Sequence, residues 1–587
     1  MPRTVARAVA GMAMLVAAVA SSAAEPVAGA APTEDEAAFA IPSVTTGFGS
    51  FAEVSEAIES DRRKVEALAA RVDRLEDRPA AEPLPAPAPT PAEANKQAEA
   101  KNPAEPYEIG SDTALGSKWA SGFQAESKHG DFRVKVGGRT QVDAVAFSAA
   151  PGPNQPPDEG GLVPELADTV DFRRARLRVE GRMYEFYDWA AEYDFVNQIN
   201  VNNEVYPTER DSGPLTAVTD LWLQLREIPV LGTVRVGNQK DPYGYEHLTS
   251  SRWLNFMERS FAQDAFEGPF NNGFLPGIQV MNSTEDGSVG WQIGEFKNTT
   301  NPFGFSNSSG GSMTVGRLVW LPVFEDEGRK LLHLGLSGRT MEPRRQYTSF
   351  DRTTGLPSGD PITAVRFRSR GSIRNGPPGP LNSIYADSGL LEGTWQNMIG
   401  LEFVGNNGPW SFQSEYFGSW LYNAHTTSAG PLTTNGFQPA PGTSVGTVYY
   451  QAAYAEVLYF LTGESRTYSK IEYRFDRPIP HNNFYAVRGG GSGRRLSLSE
   501  GAWQAGIRYN YLCLSDGEVN GGVLNGCTLG LNWLLNPNAR VYFNYDFTHR
   551  DFTSTPFTKV NGEVVPSPSY DGSGWIHGFG TRLAFDF

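Results

Sequence analysis

Residues 170–182 read VDFRRARLRVEGR, in which Arg174, Arg176 and Arg178 alternate with Ala175, Leu177 and Val179. On a helix these arginines would scatter around the axis. On a strand, successive side chains point to opposite faces, so they form one cationic row and the apolar residues form the other face. One face then suits hydrocarbon and the other a charged, wet space. Few folds accept such a strand. In hydrocarbon every backbone polar group must be paired, so a sheet there has to close on itself.

The same alternation recurs from about residue 131 to the last residue, in segments such as FRVKVGGRTQVDAVAF, TDLWLQLRE, MTVGRLVWL, VYYQAAYAEVLYFL and ARVYFNYDF. Some connections are tight, as in NPNA at 536–539 and NNGP at 406–409. Others are long and polar, as at 423–445 and 552–573. Short turns alternating with long loops predict a transmembrane antiparallel β-barrel, an all-β fold. With 63 Gly, 23 Tyr and 12% aromatic residues, the composition favours strands and turns over helices. The absence of any repeat of about 20–50 residues weighs against a propeller.

The segment before the barrel divides by composition. Residues 1–24 read as a secretory signal: Arg3 and Arg7, an apolar run to about Ala20, then small residues before Glu25. The expected order continues with a flexible segment at 25–50, a coiled coil at 51–77, a Pro/Ala-rich linker at 78–106, a pre-barrel segment at 107–130 and the barrel at 131–587. In the coil, Phe51, Val54, Ile58, Val65, Leu68, Val72 and Leu75 keep the a and d positions of a heptad, broken only by Asp61. The coil is expected to self-associate or to contact the periplasmic envelope. After residue 24 no run of about 18 apolar residues marks a membrane helix.

The formal net charge is −16. That argues against a nucleic-acid binder but permits a local cationic channel, because the field in a cleft depends on arrangement. No CxxC spacing and no cluster of histidines suggests a metal, so neither metal nor cofactor is expected. The seven histidines join no recognisable Ser/His motif, and the chain is not expected to be an enzyme. Cys513 and Cys527 bracket a polar, Gly-rich stretch, and an exported chain can oxidise such a pair. The alternatives are a disulfide stapling that stretch or two free thiols.

Several stretches resemble the phosphate-selective porin O/P family: DFRRARLRVEG, VRVGNQKDPYGYEHLTSSRWLNFMERS, VRFRSR, YFLTGESRTY, and GAWQAGIRYNYL with TLGLNWLLNPNARVYFNYDFTHRD. The likeness spans roughly 131–587. It implies a barrel of about 16 strands, a homotrimer in the outer membrane of Gram-negative type, and an inward-folded loop that narrows the pore. The last segment, GFGTRLAFDF, ends on Phe587, and this resembles the signal by which outer-membrane barrels engage their assembly machinery. The solutes implied are small anions, phosphate or polyphosphate among them; the alternative is a weakly selective porin that also tethers the envelope through its coil.

On this reading Arg174, Arg176 and Arg178 face the lumen. Arg366, Arg368 and Arg370 form a second row, while Arg508 and Arg540 add single inward charges. Guanidinium forks bind phosphate and carboxylate oxygens. A row of them either passes anions along or braces the wall by pairing with inward acids such as Glu192 and Asp194. The segment 247–274 is by resemblance the constriction loop. Lys240, Arg252 and Arg259 are its candidate anion contacts, Ser250 and Ser251 its hydroxyl donors, and Glu258 a candidate wall anchor. The loop carries no lysine-rich run.

Overall fold

A computed structural model describes residues 107–587 except 154–165, 199–215, 268–272, 300–302, 304–309, 352–355, 375–382, 428–441, 491–492, 555–556, 561–562 and 567–569. The expected signal segment, coiled coil and Pro/Ala linker lie outside the described residues. Residues Pro106–Phe587 form one compact unit.

Sixteen antiparallel strands make the wall. They are β1 (Arg133–Ala149), β2 (Thr169–Met183), β3 (Tyr187–Gln198), β4 (Thr216–Ile228), β5 (Gly232–Lys240), β6 (Phe274–Ser283), β7 (Val289–Lys297) and β8 (Ser312–Glu325). The second half comprises β9 (Lys330–Met341), β10 (Trp395–Asn407), β11 (Trp410–Thr426), β12 (Ser444–Phe460), β13 (Ala502–Asp516), β14 (Val519–Asn536), β15 (Ala539–Asp551) and β16 (Gly574–Asp586). Each pairs with its neighbour, and β16 returns to β1 with Ile576 opposite Ala149 and Asp586 opposite Arg139. The sheet therefore has no open edge across the membrane, as a hydrocarbon surround requires.

Phe587 seals the seam. Its N–H donates to the Gly138 carbonyl at 3.1 Å, and its own carbonyl accepts from Gly138 at 2.8 Å. Below it, a hairpin of Leu115–Trp119 and Phe123–Ser127 continues the sheet beside β1.

Parity along the strands sorts the side chains as the alternation predicts. Leu177 is 42% exposed on the outside, whereas Arg174 is 5% exposed within. Large apolar side chains such as Leu223, Ile293, Leu401, Phe579, Leu583 and Phe585 also face outward. One departure sits at Arg173. The register steps from Gln141 opposite Arg174 to Val142 opposite Phe172, leaving Arg173 as an extra residue. This β-bulge turns Arg173 inward beside Arg174.

Two expectations need correction, and the alternative left open at the cysteines closes. Arg366, Arg368 and Arg370 do not lie on the wall. They belong to Leu356–Arg370, one of three strands inserted between β9 and β10, which themselves pair directly. The apolar neighbour Phe367 is buried against Phe266 and Tyr450, so it does not face lipid. Cys513 and Cys527 are free. In the β13–β14 hairpin Cys513 faces Val523 and Cys527 faces Tyr509. Four residues of offset amount to about 13 Å along a strand, well beyond disulfide reach. Second, a long connection, 461–501, leaves the same end of the barrel as the tight turns, where the sequence predicts only short ones.

Candidate functional site

The inward loop leaves β5 at Lys240 and returns at Phe274. It contains two short helices, α1 (Tyr245–Leu248) and α2 (Phe261–Phe266), the latter capped by Ser260 accepting from the Gln263 N–H. Its aromatic residues Phe256, Phe261 and Phe266 are buried. An inward loop must satisfy its backbone, and here wall side chains take up several of its backbone groups. Glu415 on β11 accepts from the N–H groups of Tyr245 at 2.5 Å and Glu246 at 2.8 Å. Asn544 accepts from the Met257 N–H at 2.7 Å, and Asn532 donates to the Asn255 carbonyl at 2.8 Å. Tyr542 donates to the Leu254 carbonyl at 3.0 Å.

Glu258 is the main charged anchor. Its carboxylate accepts from Arg173 at 2.8 and 3.0 Å and from Arg582 at 2.6 Å. Arg374 stands at 3.6 Å and Arg174 at 3.8 Å. Burial raises the pKa of such a carboxyl; here the guanidiniums of Arg173, Arg374, Arg174 and Arg582 outweigh burial and hold it well below its ordinary value. The segment after β12 reaches the same loop from the turn end. There Arg466 donates to the Trp253 carbonyl at 3.1 Å, and the Phe475 N–H donates to the Tyr245 hydroxyl at 2.8 Å.

The expected arginine row lines the lumen, but each member has a polar partner. Arg174 donates to Gln141 at 2.7 Å. Arg176 pairs with Asp194 at 2.6 Å and Glu192 at 3.1 Å. Arg178 pairs with Asp220 at 2.5 Å and Glu180 at 2.7 Å. In the inserted strands Arg366 pairs with Asp387 and Arg370 with Asp264, while Arg368 stands in register with Asp387. Arg508 points inward as expected, donating to the Glu258 carbonyl at 2.9 Å and lying 4.7 Å from the Phe256 ring centroid. Arg540 also points inward and donates to the Tyr542 hydroxyl at 3.1 Å.

The loop residues divide in the same way. Lys240 donates to the carbonyls of His247 and Thr249, and Arg259 to those of Glu246 at 3.0 Å and Thr249 at 2.7 Å. Among the described residues neither cation stands within ion-pair distance of a carboxylate, although Glu246 and Glu258 act on Arg259 from further off. Ser250 and Ser251 accept from Arg139 at 3.3 and 2.9 Å. With its oxygen accepting, a hydroxyl keeps its hydrogen to donate elsewhere. Among the described residues Arg252 has no ion-pair partner; nor do Arg133 and Lys135 at the start of β1, which sequence reasoning passed over.

Ser250, Ser251, Arg252, Arg133 and Lys135 all border one cavity of about 900 Å³. Its wall carries seventeen Lys and Arg against ten Asp and Glu, a surplus of seven cations in a chain whose net charge is −16. The signal that would have found Arg133 and Lys135 is parity: both share the inward face of β1 with Arg139.

A closed barrel of sixteen strands with an apolar outside, a charged lumen and an inward loop defines a porin, a channel protein of the outer membrane. The description "Phosphate-selective porin O and P" matches residues 134–565, and the chain belongs to that family. It is 22% identical over 502 residues to Porin O of Pseudomonas aeruginosa, covering 81% of this chain and 93% of that one. It is 26% identical over 432 residues to an uncharacterized protein of Caulobacter vibrioides, covering 71% and 68%. Among solved structures, the channel DcaP of Acinetobacter baumannii is similar at 10% identity and a TM-score of 0.40, covering 79% of this chain and 99% of that one. The anion-selective porin of Comamonas acidovorans is similar at 11% identity and a TM-score of 0.38, covering 78% and 100%.

Proposed function

We propose that the barrel is a passive channel for small anions, and that its selectivity rests on uncompensated cations rather than on the arginine row. The observation that carries this reading is the surplus of seven cations around the cavity. Arg174, Arg176 and Arg178 brace the wall, because their charges are engaged by Glu258, Asp194, Glu192, Asp220 and Glu180. Arg252, Lys135 and Arg133, with the hydroxyls of Ser250 and Ser251, meet the solute. Such groups replace part of an anion's hydration shell, and being wet they hold it weakly enough to release it. Phosphate is one such anion by family; any small oxyanion or halide fits the same chemistry. The working form is a homotrimer set in outer-membrane lipid, delivered there by the assembly machinery that reads the C-terminal strand.

Reversal potentials across a planar bilayer under a salt gradient test this. The wild type prefers anions, and replacing both Arg252 and Lys135 with Ala lowers that preference. Each cation removed costs an anion at about 4 Å roughly 1 kcal/mol in a watery lumen, or about fivefold in anion permeability. A cation-preferring wild type, or a double variant with unchanged reversal potential, overturns the reading.

A further inference from the structure

The root of the inward loop holds three side chains whose chemistry the channel does not use. Asp241 follows β5, His247 lies in α1 and Glu267 closes α2. All three are buried, with at most 2% of each exposed. One ligand atom from each, His247 Nε2 and one carboxylate oxygen apiece, falls in a group spanning no more than 4.8 Å. Asp241 Oδ1 and His247 Nε2 face each other at 3.4 Å without an aligned hydrogen bond, and Glu267 Oε2 has no hydrogen-bond partner. Three buried polar atoms gathered in one place without an aligned hydrogen bond are costly unless something sits between them.

The other halves of the two carboxylates are occupied. Arg339 on β9 donates to Asp241 Oδ2 at 2.5 Å and to Glu267 Oε1 at 2.5 Å. This orients each carboxylate and leaves a second oxygen on each, with that of Asp241 facing the histidine, the arrangement that outer-sphere partners give to metal ligands. Gly273 lets the returning chain pass against the ring: a Cβ there would stand 2.0 Å from His247 Cε1.

We propose that Asp241, His247 and Glu267 bind one divalent first-row transition ion, of the zinc or manganese type, which ties both ends of the inward loop together. One imidazole and two carboxylates suit such an ion better than a soft thiophilic one. Bonds of about 2.1 Å at tetrahedral angles place ligand atoms about 3.4 Å apart. The Asp241–His247 separation is already 3.4 Å. Glu267 need close by no more than about 1.4 Å, within the reach of its terminal torsion. The ligands stand six and twenty residues apart with no regular motif, which is why the sequence alone points to no metal. The ion would be structural: it would fix the bore of the throat rather than touch the solute.

The test uses the full-length protein, stripped with chelator during refolding, equilibrated with Zn²⁺ alone or Mn²⁺ alone, dialysed, and assayed by mass spectrometry of the metal. The wild type is expected to keep one ion per chain. His247→Ala and Glu267→Gln are expected to bind at least tenfold more weakly, and chelated wild type to give a noisier single-channel current that the ion quiets. Retention of no ion by the wild type, or equal retention by both folded variants, overturns the proposal; one proton shared between the carboxylates would give the first result. Should the variants fail to fold, zinc K-edge absorption of the wild type decides. A shell of oxygens with one imidazole supports the site, and a shell with sulfur or several imidazoles refutes it.

Discussion

Replacing Glu258 with Gln removes one charge from the lumen and almost nothing from its shape. Arg582 keeps Asp143 at 2.6 and 2.7 Å, and Arg374 keeps Asp264 at 2.9 Å. Arg173 keeps no other hydrogen-bond acceptor among the described residues, and it is buried. Breaking one side of a buried pair costs about 3–5 kcal/mol; the amide still accepts one hydrogen bond, so the lower end, about 3 kcal/mol, applies. The loss should appear as a lower urea midpoint for the barrel in lipid vesicles, and as current flicker from a loosened loop. Anion preference should move the other way, because the cavity surplus rises from seven to eight. An acid titration of the wild type should not mimic the variant near pH 4. A carboxyl whose folded pKa is depressed contributes stability above its unfolded value of about 4.3 and loses it only as pH falls through the lower folded value. An unchanged urea midpoint, or a fall in anion preference, would refute the account of Glu258 as the loop's charged anchor.

Two further predictions are simpler. Both cysteines should react as thiols in the unfolded protein without prior reduction, and Cys513→Ser or Cys527→Ser should shift stability by no more than about 0.5 kcal/mol; a change of gel mobility with reductant would contradict the free thiols. Gly138→Val should cut the yield of the heat-modifiable folded barrel, because a Cβ there would lie 2.5 Å from the Arg176 carbonyl and 2.8 Å from the Phe587 ring, at the seam; normal yield would show that the seam tolerates bulk.

The wall was legible because parity is a local property. Alternation around Arg176 names its face whatever the neighbours do, and GFGTRLAFDF gives the closing strand in the same way. Sheet membership is not local. VRFRSR alternates as a wall strand does, yet it lies in an insertion, and only Ser369 on its apolar face and the Gly/Pro-rich stretch that follows set it apart. The bulge at Arg173 is equally hidden, since an RR pair in a strand reads as one residue in and one out. The site was legible in kind but not in detail. That cations face the lumen follows from their spacing, but which of them are cancelled depends on Glu192, Asp194 and Asp220, brought across by strand pairing. Glu258 was recognisable as an anchor from its place in the loop; its arginine partners come from β2, β16 and the insertion.

The throat is gripped by two pieces of chain that enter from opposite ends, the loop after β5 and the segment after β12. Neither contributes a strand to the cylinder. The width of the passage and the integrity of the membrane seal are therefore inherited separately. Sequence drift in either jaw can resize the gate for a new cargo while the staves of the cask stay as they were.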